Sequence, residues 1–162
     1  MNMTFEIDTP EFDAAINKLS NMPYMLEDTM KKFKGKLSKK ISENDFSILE
    51  HICHLRDLEN EGYLARINKM LVESQPNLTD FAGGKIALER EYNKQNAAFA
   101  LEDFKSCREQ SVKLFKSLTS EQLKRSGELE GVGTITLENL ICLMLQHDES
   151  HLKELDELTT QL

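Results

Sequence analysis

The sequence predicts an all-α protein, a four-helix bundle. Three observations carry this. Apolar residues recur at three- and four-residue spacing over four long stretches, as in helices that bury one face. No stretch alternates convincingly with the period of two that a half-buried strand needs. Seven glycines and three prolines leave little turn chemistry for a many-stranded sheet. At 162 residues, one domain around a single core is expected, spanning 1–162.

Residues 1–9 read as an extended lead-in. Thr9-Pro10-Glu11 starts the first helix, with Thr9 as N-cap, Pro10 at the first helical position and an acid in the first turn. Phe12, Ala15, Ile16 and Leu19 follow at helical spacing, and Met25, Leu26, Met30 and Phe33 resume it after Pro23. A kink or break is therefore expected near Asn21-Met22-Pro23. Gly35 to Lys40 is a basic connector. The second helix is expected from about Ser42, with Asp45 in its first turn, to about Val72. Ile48, Leu49, Ile52, Cys53, Leu55, Tyr63, Ile67, Met70 and Leu71 form its apolar stripe. Glu59 and Arg66 intrude on that stripe. A charge there is costly unless paired, so the two are a structural pair or part of a site.

Ser74 to Gly84 reads as a loop with Phe81 tucked inward. The third helix starts near Ile86 or Asn93 and runs to Leu118, with Arg108 inside its apolar face. Thr119-Ser120-Glu121 opens a short helical turn that ends by Gly127, and Glu128 to Gly133 is a connector. Thr136 is the N-cap of the fourth helix. Leu137, Leu140, Ile141, Met144, Leu145, Leu152, Leu155 and Leu158 define its stripe, and His147 and His151 lie within it.

The net charge of −8 argues against nucleic acid as a partner, because a phosphate backbone wants a basic face. No apolar run approaches the roughly 20 residues of a membrane span. Met1-Asn2-Met3-Thr4-Phe5-Glu6 has neither the basic nor the apolar region of a signal peptide. Cys53, Cys107 and Cys142 are odd in number and widely spaced, and read as reduced core thiols of a cytoplasmic protein.

All four histidines fall into two helix-compatible pairs: His51 with His54, and His147 with His151. Two imidazoles one turn apart in a leucine stripe bring four ring nitrogens that need partners. A divalent metal supplies one partner per ring, leaving the other nitrogen for an acceptor such as Asp148 or Glu59. On the second helix the stripe turns His51 further inward than His54, which favours His51 as a ligand or allows both; the spacing does not decide. Cys53, between them, reads as a core thiol more readily than as a ligand. Arg108 with Glu59 or Asp148 reads as an ion pair that could also anchor a carboxylate. No Glu-x-x-His pair, zinc-protease motif, phosphate loop, dinucleotide fingerprint or nucleophile elbow is present.

Phe46-Ser47-Ile48-Leu49-Glu50-His51-Ile52-Cys53-His54-Leu55-Arg56-Asp57-Leu58-Glu59, followed by Ala65-Arg66-Ile67, resembles the second helix of the DinB-like family. There an aromatic residue leads into an apolar stretch, then His-Leu, a Glu five residues after that His, and Arg-Ile. Gly133-x-Ile135-Thr136-Leu137 running into His147-Asp148-x-x-x-His151 resembles its last helix. Phe46 stands where the family frequently has Trp. The resemblance implies an up-down-down-up bundle with a long connection after the second helix, commonly a homodimer. It also implies a divalent metal, nickel or zinc, held by His54, His147 and His151, which leaves His51 in a supporting or redundant role; Glu59 or Asp148 is then the expected support for the ligands. Arg66 and Arg108 become candidate substrate anchors.

A three-histidine centre leaves a position open, which suits an enzyme that activates a low-molecular-weight thiol or water, a thiol S-transferase or hydrolase. Two rivals carry different expectations. A non-enzymatic stress-related bundle would hold a closed structural metal, for example with His51 as fourth ligand. A small-anion-binding module would need no metal.

Overall fold

The structure is a computed structural model and describes residues 6–162. The first five residues of the expected lead-in, and with them most of the stretch read for a signal peptide, lie outside the described residues. The described part, 6–9, is a turn and not extended chain. Asp8 has a φ of 63°, and the Thr9 hydroxyl donates to the Glu6 carbonyl at 2.7 Å while accepting from the Phe12 N–H at 3.2 Å.

Helix α1 spans Pro10–Lys32 without a break, so the expected split at Pro23 does not occur. A proline there removes the N–H that would bond the carbonyl four residues back, that of Leu19. That carbonyl accepts instead from Arg108 Nη1 at 2.9 Å, which satisfies it from another helix.

The second rod is built from α2 (Ile48–Asp57), a wider π-helical segment (Leu58–Leu64) and α3 (Ala65–Val72). It starts at Ile48, later than the expected Ser42. Ser47 and Glu50 form a reciprocal capping box, whereas Ser42 and Asp45 bond only each other, at 2.7 Å, in the preceding turn. The short α4 (Gly83–Glu89) and a 3₁₀ turn (Tyr92–Lys94) follow. The third long helix, α5, is Ala97–Ser117, capped by Asn96, so it begins later than either expected start. The expected short turn is α6 (Ser120–Leu123), and α7 (Leu137–Thr159) has the expected Thr136 cap, completed as a box by Asn139.

The all-α expectation needs correction. A small sheet joins β1 (Asn77–Leu78), β2 (Ser126–Leu129) and β3 (Gly133–Thr136), with β1 parallel to β2 and β2 antiparallel to β3. Strands of two to four residues are too short to display an alternating pattern. The hairpin between β2 and β3 turns through Gly131 and Gly133, at φ +77° and +106°, a region that glycine enters without a Cβ penalty. Thr136 ends β3 and caps α7, so the hairpin sets where α7 begins.

The apolar core divides into two clusters. One gathers Phe12, Ile16, Leu19, Leu58, Ile67, Phe115, Leu140 and Met144; the other gathers Met22, Leu26, Ile48, Ile52, Leu55, Phe104 and Leu155. Along α5 the boundary falls at Arg108, between Phe104 and Val112. Along α7 it falls at His147, Asp148 and His151, between Met144 and Leu155. A buried polar layer thus crosses the bundle.

At its centre Arg108, 1% exposed, donates to both Asp148 oxygens at 2.6 and 3.0 Å and pairs with Glu59, 0% exposed, at 2.9 Å. With the Leu19 carbonyl, one guanidinium joins α1, the π segment, α5 and α7. Burial alone would lower the Arg108 pKa, but Glu59 and Asp148 outweigh it and hold the group charged. Arg108→Ala leaves two carboxylates buried without a cation and is expected to cost about 3–5 kcal/mol. Urea denaturation checks this, and joint replacement of Arg108 by Met and of Glu59 and Asp148 by Leu is expected to recover most of the loss.

Candidate metal centre

The histidines meet because two rods carry them to one level of the bundle. On α2 the Ser47 box fixes the first turn, placing His51 and His54 three residues apart. On α7 His147 and His151 stack one turn apart. His54 Nε2 lies 3.4 Å from His147 Nε2, and His151 Nε2 lies 3.0 Å from His147 Nε2. Ligands about 2.1 Å from one ion sit about 3.0 Å apart at a right angle and about 3.4 Å apart at the tetrahedral angle. His54 and His151 thus each stand from His147 at the separation of two ligands on one ion, and ligand atoms of all three rings lie within 4.8 Å of one another. Neutral imidazoles are divalent-metal donors, so His54, His147 and His151 can hold a metal ion.

Burial drives all four rings toward the neutral form. It lowers His51 to about 3 and His54 to about 4; His147, beside His54 and Arg108, falls to about 4, and His151, beside the other three rings, to about 2. The Nδ1 atoms of His54 and His147 are buried with no hydrogen-bond partner among the described residues. The His54 ring sits between Phe46 and Phe81, at centroid distances of 5.5 and 6.0 Å. Gly83 closes over it: a Cβ there would lie 2.5 Å from His54 Cε1. The absent side chain at 83 is what lets α4 approach the ring.

His51, 2% exposed, is as buried as His54 but joins the cluster from the other side, with its Nδ1 2.8 Å from His151 Nδ1. Glu154, unnoticed in the sequence, lies 3.9 Å from His51 Nε2 and 3.7 Å from His151 Nδ1. His51, His151 and Glu154 are a second group able to hold a cation. They line one wall of a cavity of about 530 Å³ that also presents Asp45, Phe46 and Glu157. The i,i+3 spacing of His151 and Glu154 was the signal that could have flagged the acid.

The other expected residues serve differently. Asp148 and Glu59 face Arg108 and not the imidazoles, so neither is the acceptor for a histidine nitrogen. Arg108 has its Nη atoms committed to those acids and to Leu19, which removes it as an exposed substrate anchor. Arg66 does not pair with Glu59. Its Nη2 donates to the Thr79 carbonyl at 2.9 Å and its guanidinium lies over the Tyr63 ring, which fastens the loop after α3. Cys53 is fully buried, its pKa raised to about 11 by burial, and belongs to neither cation group. Cys107 is only half-buried, at the margin of the core that was expected to enclose it.

A helical bundle with a histidine cluster in its polar layer is the class that fold and site define. The chain belongs to the DinB superfamily, which its sequence matches over residues 18–155. Its structure is similar to that of YfiT from Bacillus subtilis, described as a probable metal-dependent hydrolase with an unusual four-helix bundle topology. The TM-score is 0.87 at 20% identity, over 99% of this chain and 93% of YfiT, a likeness of fold. No curated protein matches the chain significantly.

Two outcomes follow from this geometry. Gly83→Ala is expected to push the His54 ring aside and weaken zinc binding about tenfold or more, read by competition with a chromophoric chelator. The metal-free protein should also lose stability as pH falls. In the unfolded chain the histidines take up protons near 6.5, while His54 and His147 in the folded chain do so only near 4. Unfolding is then linked to proton uptake between those values, so stability is full above about 6.5 and declines below it. Urea midpoints at pH 7.5, 6.5 and 5.5 check this, and a variant with His54 and His147 replaced by Gln should show a flatter profile.

Proposed function

We propose that this protein is a divalent-metal-dependent enzyme acting on a small molecule, with His54, His147 and His151 as metal ligands. The observation that carries the reading is the approach of His54 Nε2 and His151 Nε2 to His147 Nε2, at 3.4 and 3.0 Å, among rings that burial holds neutral. A bound nickel or zinc ion would lower the pKa of a water molecule or hold a thiol as thiolate. The chain's own residues supply the setting. Phe46 and Phe81 fix the His54 ring and limit water around it, and the Arg108–Asp148 pair holds α7 so that His147 and His151 keep their facing.

The description of YfiT as a probable metal-dependent hydrolase supports the water branch; the resemblance of the two histidine motifs keeps the low-molecular-weight thiol branch, a thiol S-transferase, beside it. An up-down-down-up order of helices, a homodimer and a cytoplasmic setting belong to the same reading. It carries no membrane role, and no helix among the described residues is long and apolar enough to cross a bilayer. A closed structural site with His51 as fourth ligand has less support, because the His51 Nδ1 is directed at His151 Nδ1 and away from the Nε2 cluster.

Titration of the purified chain with zinc and with nickel tests the proposal. One equivalent is expected to bind, and His147→Ala and His151→Ala are each expected to weaken it by well over tenfold. Unchanged binding in both variants would end this reading. Screening the loaded protein against ester and amide substrates, and separately against electrophiles with several low-molecular-weight thiols, decides between the two branches.

A further inference from the structure

We infer that His51 is a positioning residue of the histidine centre and that, backed by Glu154, it sets which nitrogen of His151 is free to be a ligand. The inference rests on the proposed metal site and adds a column of two residues to it.

His151 divides its two nitrogens between different neighbours. Nε2 faces His147 Nε2 at 3.0 Å, and Nδ1 faces His51 Nδ1 at 2.8 Å. Two imidazole nitrogens at 2.8 Å share one proton: one donates and the other accepts. If His51 donated, the His151 proton would sit on Nε2, aimed at His147, and that nitrogen could not coordinate. For Nε2 to offer its lone pair, His151 must carry its proton on Nδ1 and donate it to His51. His51 then carries its own proton on Nε2, the edge that faces Glu154 Oε2 at 3.9 Å. A carboxylate on that side favours the same arrangement, because it stabilises an N–H directed toward it and disfavours a lone pair. The order Glu154, His51, His151 is thus internally consistent in one direction only.

Two further observations single out this column. The Nδ1 atoms of His54 and His147 lack any partner among the described residues, so His151 is the one member of the trio with a hydrogen bond on its far nitrogen. The two acids that the sequence offered for this role, Asp148 and Glu59, are engaged by Arg108. His51 is itself held in place: it is 2% exposed, and the Phe46 ring meets it edge-on at 5.5 Å. The column ends at the wall of the 530 Å³ cavity, where Glu154 is half exposed, so its outer member can be replaced with little disturbance of the core.

The test uses the full chain, zinc as the probe, and two readouts: binding affinity by competition titration and the ring ¹⁵N shifts of His151. Zinc-loaded wild type is expected to show His151 protonated at Nδ1. His51→Phe, which keeps the volume and removes the acceptor, is expected to bind zinc about 10–100-fold more weakly. His51→Gln, whose amide oxygen can accept the same proton, should recover most of that loss, and Glu154→Gln should cost a few-fold. Wild-type affinity in His51→Phe, or a His151 proton on Nε2 in the loaded protein, overturns the inference. Should His51→Phe fail to fold, the wild-type ¹⁵N pattern decides alone. Zinc binding that ignores His51 defeats this inference and leaves the proposed function standing. A wild type that binds neither zinc nor nickel defeats both.

Discussion

Arg108 is the constraint on which the rest of the structure depends. A guanidinium buried to 1% exposure needs its charge balanced and its Nη donors engaged, and here the partners come from three different elements. Asp148 supplies a two-point contact that fixes α7 against α5. Glu59 supplies the second negative charge from the π segment. The backbone of α1 supplies an acceptor that exists because Pro23 has no N–H to offer Leu19. The proline that ought to break α1 is therefore compensated from across the core. Replacing any one group changes the requirements of the other three, so substitutions here should be strongly non-additive.

The histidine cluster inherits its geometry from that contact. Asp148 follows His147 directly, so the pair with Arg108 fixes the rotation of α7 at the level where the imidazoles sit. The hairpin end at Thr136 sets where α7 starts, and the Ser47–Glu50 box does the same for α2. The polar layer between the two apolar clusters is thus one connected stratum, part ionic and part imidazole. The neutral rings occupy the half nearer Phe46, and the charges occupy the half nearer Leu19.

Much of this was legible in the sequence, for identifiable reasons. The four apolar stripes and the caps at Thr9, Thr119 and Thr136 are local signals, and the helices follow them. The intrusion of Glu59, Arg66 and Arg108 into apolar faces was equally visible, but partner choice is a long-range property: Glu59 joins Arg108 from another rod and Arg66 turns to a loop carbonyl. The start of α2 was misplaced because Ser42 and Asp45 imitate the spacing of a cap, while the box at Ser47 and Glu50 lies five residues on. The strands were invisible because each is shorter than the pattern used to find one. Periodicity could not choose between His51 and His54 because both are buried; the structure separates them by what each ring nitrogen faces.

The π segment has a consequence for how this chain can vary. Its wider turns carry Leu58 and Tyr63, five residues apart, into the same apolar cluster, which regular α-helical winding would not do. The rod is therefore two helices out of phase, the first aimed by its histidines and the second by Ile67 and Met70. If the same seven residues wound as a regular α-helix, everything beyond them would be turned by about 100° from its present facing. Tyr63, Arg66 and Ile67 would leave the core together. A one-residue deletion inside the segment, by contrast, would return it to regular winding and leave the two halves of the rod facing as they do now. Length can therefore vary here as it cannot within α2 or α7, where the same deletion turns all that follows.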